Sequence, residues 1–244
     1  MSFVAIDPAF TAGIETQRGK FRKLKRIILV TGGTSGIGLA ICNHLAEQGH
    51  RVIAASRSAV TVNKPKKNIV ELQLDVTQLQ SIENAITWLK ENKLKISVLI
   101  NNAGTGLNGA LEEVSDQQIR YLFDLNFFGL HNLTRALLPQ LRKTKNAYII
   151  NTSSIAGQIG LPFRGVYSAS KFAVEGYSES LRMELLNFGV RVVLVEPGDF
   201  KTNINENRKV AYGSEKSPYY QHFKRIDDKV KNEVGHADDP KLVA

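Results

Sequence analysis

A chain of 244 residues, 43% of them apolar, is long enough for one large domain or two small ones with a sizeable core. Its longest apolar runs, such as IILV at 27 to 30 and AYII at 147 to 150, fall far short of the ~20 residues a bilayer span requires, and the start, MSFVAIDPAF, lacks the pattern of a secretory signal. The formal charge of +9 is concentrated in two patches, RGKFRKLKR at 18 to 26 and KPKK at 64 to 67; the first reads as a solvated arm, with binding to RNA or an anionic membrane surface as the lesser reading, and no nucleic-acid partner is expected.

Residues 1 to 23 carry no clear period and read as an N-terminal arm or leader ahead of a single domain over 24 to 244. From residue 26 onward, short β-branched or apolar runs alternate with longer amphipathic stretches: RIILVT, then 36 to 48; RVIAAS; NIVELQ, then 81 to 92; SVLIN, then 115 to 141; AYIINTS, then 167 to 188; RVVLVE. Such alternation predicts β-α-β units and a parallel sheet, and runs apolar on both faces, as in VVLV, predict helices on both sides of it. The expected architecture is a doubly wound α/β domain. From 199 to 234 the chain turns polar and aromatic, with SPYYQHF at 217 to 223, and a segment this long after a sheet strand predicts a substrate lid. The terminal DDPKLVA opens a further helix, with Asp239 as cap and Pro240 at its first position, so the fold is expected to lack its last helix and strand.

The single cysteine, Cys42, excludes an intramolecular disulfide and fits a reducing, cytoplasmic setting. The five histidines, His44, His50, His131, His222 and His236, show no HExxH or H-x3-H pairing, so no metal site is expected.

The first strand runs directly into TGGTSGIG at 31 to 38, followed by a helical LAICNHLAEQG. A strand, then glycines, then a helix N-terminus presents backbone N–H groups and the positive end of a dipole to an anion, and a pyrophosphate would sit there. The spacing of Gly32, Gly36 and Gly38 is G-x3-G-x-G, without the Gly-Lys-Ser/Thr of a nucleotide-triphosphate loop, which disfavours a triphosphatase. At the end of the second strand, where a dinucleotide site takes an acid for the ribose 2′-hydroxyl, stand Ser56 and Arg57. A guanidinium binds a 2′-phosphate that a carboxylate would repel, so NADP(H) is expected in preference to NAD(H).

YSASK at 167 to 171 places a phenol and an ammonium four residues apart. On a helix, Tyr167 and Lys171 share one face with Cβ atoms about 6 Å apart, where a positive charge favours the phenolate. The pair is suited to acid/base chemistry; by itself the spacing more often marks a tyrosine on a core edge and a solvated lysine.

Together, TGGTSGIG at 31 to 38, DV at 75 to 76, NNAG at 101 to 104, Asn126 in DLNFFG, Ser154 in NTSSIAG, YSASK at 167 to 171 and EPG at 196 to 198 resemble the short-chain dehydrogenase/reductase family, in order over about residues 26 to 202. The resemblance implies a Rossmann fold and a nicotinamide cofactor. It implies that Tyr167 exchanges a proton with the substrate oxygen, that Lys171 tunes Tyr167 and holds the nicotinamide ribose, and that Ser154 binds the substrate oxygen. Asn126 would position a water that links Lys171 to solvent, or tie two helices together. For the cofactor it implies Gly32, Thr34, Ser35, Gly36, Ile37 and Gly38 along the phosphates, Ser56 and Arg57 at the 2′ position, and Asp75 and Val76 beside the adenine. Asn102, Ala103 and Gly104 would meet the adenosine ribose side, and Pro197, Gly198 and Thr202 the nicotinamide, while Asn101 ties the sheet. Ser35 stands where some NADP-preferring relatives carry a second basic residue, which softens the expected preference.

SSIAGQIGLPFRGVYSASKFAVEGYSESLRMEL followed by VVLVEPGDFKTN is most similar to the branch with hydroxysteroid and retinol dehydrogenases, which implies apolar alcohols and ketones. Leu161, Pro162 and Phe163 would line one wall; Tyr219, Tyr220 and Phe223 would close over a ligand or pack the lid onto the body. A 3-oxoacyl-thioester reductase is the alternative enzyme, and an NADPH-binding sensor or scaffold the alternative of another class. Family relatives pair through the helices at 115 to 141 and 167 to 188, so a homodimer or homotetramer is expected, with LLPQL and LRMELL at the contact or in each subunit's own core.

Overall fold

The sheet is built from six parallel strands, β1 (Ile27–Thr31), β2 (Arg51–Ser56), β3 (Ile69–Gln73), β4 (Val98–Asn101), β6 (Tyr148–Thr152) and β7 (Arg191–Val195), in the order β3-β2-β1-β4-β6-β7. The computed structural model describes residues 25–58, 67–198, 209–210, 215–235, 239 and 242–243. The order reverses between β1 and β4, the switch point at which doubly wound sheets bind ligands beyond their C-terminal strand ends. Successive strand residues feed opposite faces. Leu29, Ile53, Leu99 and Ile149 enter one core with Leu133, Leu137 and Leu181 of the helices. Ile28, Val30, Val52 and Ile100 enter a second core with Ile41, Cys42 and Ala46. At about 1.5–3 kcal/mol for each fully buried Leu, Ile or Val, neither face can be left to solvent, which is why the strands lack the polar alternation of a one-sided sheet.

The helices are α1 (Gly36–Glu47), α2 (Leu79–Glu91), α3 (Asp116–Phe123), α4 (Gly129–Leu141), α5 (Gly165–Glu184) and α6 (Tyr220–Gly235). The stretch expected as one helix over 115 to 141 starts on a capping box, in which Ser115 Oγ accepts from Gln118 N and Gln118 Oε1 accepts from Ser115 N. A π-helical turn at Asp124–Phe128 then separates α3 from α4. The helix expected over 167 to 188 ends its α-helical part at Glu184; a 3-10 turn, Leu186–Phe188, and the left-handed Gly189 complete the stop.

Three elements went unforeseen. The segment expected as a lid contains α6, and the short β8 (Lys209–Val210) pairs in parallel with β5 (Leu107–Asn108) outside the main sheet. The arm at 1 to 23, Thr202 and most of 199 to 214 lie outside the described residues. Near the end, Leu242 N donates to Asp239 O across one turn, while Pro240 is outside the described residues. Leu137 and Leu141 of LLPQL, and Leu181 and Leu185 of LRMELL, are buried in the chain's own core, whereas Met183 and Leu186 are exposed.

A polar chain crosses the sheet interior: Asn101 Nδ2 donates to Thr134 Oγ1 and to Asn151 Oδ1, Asn151 Nδ2 donates to Ser178 Oγ, and Ser178 Oγ donates to Val174 O. Asn101 thus ties the central sheet, as its place suggested. Asn151 is fully buried, so Asn151→Ala strands a donor and an acceptor at once. The expected loss is about 2–3 kcal/mol of unfolding free energy, read from urea midpoints; a loss near zero would show the chain to be dispensable.

Candidate active site

Among the described residues, the expected site residues gather around the C-terminal ends of the strands. β1 leads into a turn in which Gly32 has φ +65°, a left-handed conformation that glycine adopts without strain. Gly38 lies so close beneath this turn that a Cβ would overlap Gly32 O and come within 2.6 Å of Asn102 Nδ2. Ser35, extended and without a side-chain cap bond, leads into α1, so the first turn of the helix, with Gly36 and Ile37, opens onto the loop that includes Thr34.

Thr31, which sequence reasoning passed over, binds this loop to the end of β4: its Oγ1 accepts from Asn102 N and Ala103 N, both at 3.0 Å, and its carbonyl accepts from Asn102 Nδ2. The threonine is therefore the hinge pin between the two strand ends flanking the switch point.

At the end of β2 the Ser56 hydroxyl donates to Ser58 O, and Arg57 Nη1 donates to Tyr121 Oη of α3 at 3.1 Å. After β3, Asp75 Oδ1 accepts from Thr77 N and Thr77 Oγ1, which fixes the turn carrying Val76; Val76 in turn packs against Gly129 at the start of α4. Asp75, Val76 and Arg57 thus stand together just beyond the ends of the adjacent strands β2 and β3.

Tyr167 and Lys171 stand one turn apart on α5, with Lys171 Nζ 5.9 Å from the centre of the Tyr167 ring. Lys171 is 6% exposed and donates to Thr152 O at 2.8 Å, two residues before Ser154. Burial pulls its ammonium down to about 8 from 10.5, and the Glu175 carboxylate one turn further along offsets part of that. Glu175 is itself raised, first by burial and then by Glu196 and Glu179. The Ser153 hydroxyl and Lys171 ease that shift, although Ser153 and Glu175 close no well-formed hydrogen bond. Glu175 was also missed from sequence, although its i+4 spacing from Lys171 is legible there.

Ser154 follows β6 in extended conformation, with its Oγ accepting from Ala156 N, while Ser153 is buried. Ile155 N donates to Pro197 O, which joins this loop to the Pro197–Gly198 turn after β7. Asn126 lies in the π turn. Its Nδ2 donates to Thr105 O and Ser170 Oγ, and its Oδ1 accepts from Thr105 N. Its side chain thus makes the helix-tying contacts that were one of its two expected roles. A Cβ at Gly104 would come within 3.2 Å of Asn126 Oδ1 and 3.8 Å of Lys171 Nζ, so the turn after β4 touches both.

Phe163 leads into α5 with φ +58°, a strained conformation for a bulky residue, and its carbonyl accepts from Gly109 N at 2.8 Å. Tyr219, His222 and Phe223 each meet its ring edge to face, and Phe223 is buried. Phe223 therefore packs α6 onto the body, the second of the two roles open to it. Among the described residues, no cluster suits a metal ion and no helix is long and apolar enough to cross a membrane.

Comparison with known proteins identifies the family. The short chain dehydrogenase family matches residues 26–212. The chain is 44% identical over 189 residues to a 3-ketodihydrosphingosine reductase of Bacteroides thetaiotaomicron, covering 76% of this chain and 68% of that protein. It is 36% identical over 188 residues to retinol dehydrogenase 8 of Bos taurus, covering 72% of this chain and 60% of that protein. A crystal structure of a short-chain dehydrogenase from Streptomyces avermitilis superposes with a TM-score of 0.80 at 33% identity, covering 90% of this chain and 82% of that one. The chain therefore belongs to the short chain dehydrogenase family, oxidoreductases that use a nicotinamide cofactor on CH–OH and carbonyl groups.

Proposed function

We propose that this protein is an NADPH-dependent reductase of an apolar, lipid-like carbonyl compound, with Ser154, Tyr167 and Lys171 as its catalytic residues. The observation that carries the reading is the pairing of Tyr167 with a buried ammonium, Lys171, which is anchored on Thr152 O beside the Ser154 loop and faces the turn that carries Gly104. A binding module has no use for a buried cation next to a phenol, since burial makes the charge costly.

Bound NADPH would supply the hydride. Ser154 Oγ would orient the carbonyl oxygen and share the negative charge that develops on it. Tyr167 would donate its phenolic proton to that oxygen, while the Lys171 ammonium stabilises the phenolate left behind. Gly32 through Gly38 would receive the pyrophosphate, with Asp75, Val76 and Asn102 around the adenosine and Arg57 at its 2′-phosphate. The fit rests on the close approach that Gly38 permits between α1 and the loop.

Support for an apolar substrate comes from the loop through Leu161, Pro162 and Phe163, backed by the rings of Tyr219 and Phe223, and from the names of the two relatives, one a ketosphingoid reductase and one a retinol dehydrogenase. The test is cofactor oxidation with NADPH and NADH in parallel, across a long-chain 3-ketosphingoid base, a steroid ketone, retinal and an acetoacetyl thioester. The expected result is higher kcat/KM with NADPH and with the lipid carbonyls. A clear preference for the thioester would assign the protein to oxoacyl reduction, and saturable NADPH binding without turnover would make it a sensor.

A further inference from the structure

We propose that Tyr121 is a cofactor-selectivity residue, its hydroxyl holding the Arg57 guanidinium in place to meet the 2′-phosphate of the adenosine. This rests on the reading of Arg57 as the phosphate ligand. Arginine at the end of a strand is exposed and has four rotatable side-chain bonds, so an unsupported guanidinium must be ordered by the phosphate at the moment of binding. Here it is already directed. Arg57 Nη1 donates to Tyr121 Oη at 3.1 Å, and the Arg57 carbonyl accepts from Gln73 Nε2 on the neighbouring strand at 3.4 Å. The Tyr121 ring is fixed from behind, since it packs against the main hydrophobic core that includes Leu72, Leu74 and Val76. The phenol is thus a rigid post, rooted in the core and ending in a hydroxyl at the guanidinium.

The chemistry suits the purpose. A hydroxyl accepts a hydrogen bond from the arginine without neutralising it, whereas a carboxylate in the same place would compete with the phosphate for the charge. The remaining N–H groups of the guanidinium keep their fork geometry for phosphate oxygens. Tyr121 touches the phosphate only through Arg57 in this account, so it is a positioning residue.

The test measures binding by calorimetry, with 2′,5′-ADP as the phosphate-bearing probe and 5′-AMP as the control, for the wild type, Tyr121→Phe, Arg57→Ala and the double variant. Phenylalanine keeps the ring in the core and removes only the hydroxyl. Tyr121→Phe is expected to weaken 2′,5′-ADP about 3- to 10-fold with 5′-AMP unchanged, as the loss of one hydrogen-bond partner implies. Arg57→Ala is expected to weaken it further, and the double variant no further than Arg57→Ala alone, since the tyrosine acts through the arginine. Wild-type affinity in Tyr121→Phe alongside a loss in Arg57→Ala would overturn the role of Tyr121 and leave the phosphate site standing. Wild-type affinity in Arg57→Ala would overturn the phosphate site itself. An equal loss of 5′-AMP affinity in Tyr121→Phe would reduce Tyr121 to a structural residue.

Discussion

Tyr167→Phe is expected to lower kcat for carbonyl reduction by about 10²- to 10⁴-fold, the range set by loss of a general acid, with the dissociation constant for NADPH unchanged. The separation of the two effects follows from how Tyr167 is held. Its ring packs against a small cluster formed by Leu107, Val114, Leu122 and Val166, and phenylalanine fills that place equally well. Lys171 keeps its bond to Thr152 O, and the glycine turn after β1 is untouched. Only the proton disappears. Comparable turnover in the variant would remove Tyr167 from the chemistry, and a parallel loss of NADPH binding would show its ring to be part of the cofactor site instead.

Lys171→Met is expected to abolish reduction and also to change the pH dependence of stability. The ammonium is held at about 8 in the folded chain against 10.5 for an ordinary lysine, mainly because it is buried. Between those two values the unfolded chain binds more protons than the folded one, so the stability of the wild type rises as pH goes up from about 8 to 10.5; below 8 both states are protonated and the cost of burying the charge is present in full. A methionine has no such proton. The difference in unfolding free energy between wild type and variant should therefore drift by about 3 kcal/mol in favour of the wild type across that window, as urea midpoints at a series of pH values would show. Parallel curves would mean that the lysine is better solvated than its surroundings imply. In the active protein the same titration predicts that kcat/KM for NADPH falls above about pH 8, as the ammonium that stabilises the phenolate is lost.

The fold was largely legible because its signal is periodic and redundant. Six apolar runs became the six strands of the main sheet, and the two-faced burial of Ile28 beside Leu29, or Val98 beside Leu99, is what their unbroken hydrophobicity encodes. What escaped has local physical reasons. The π turn at Asp124–Phe128 adds one residue to a helical turn without interrupting the apolar stripe, and the contacts of Asn126 with Thr105 and Ser170 that accompany it come from residues 21 and 44 positions away. The pairing of β8 with β5 involves two residues on each side, too few for any pattern. In α6 the apolar positions are sparse and the charged ones many, so a polar lid and a helix read alike until Phe163 supplies the partner for its aromatic residues. The site followed the same rule. Glycine spacing and the Tyr167–Lys171 pair are contiguous in sequence, whereas Thr31 holding Asn102 across two strands and Tyr121 reaching Arg57 exist only once the sheet is assembled.

The measurement that bears most directly on this account is the fate of the hydride. Protein is incubated with NADPH doubly deuterated at the nicotinamide C4 and a long-chain 3-ketosphingoid base or retinal, and the product is analysed by mass spectrometry. The expected product is an alcohol with one deuterium on the former carbonyl carbon, formed by the wild type and about 10²- to 10⁴-fold more slowly by Tyr167→Phe. Saturable NADPH binding with no deuterated alcohol from any lipid carbonyl, or equally fast labelling by the Tyr167→Phe variant, would contradict the account.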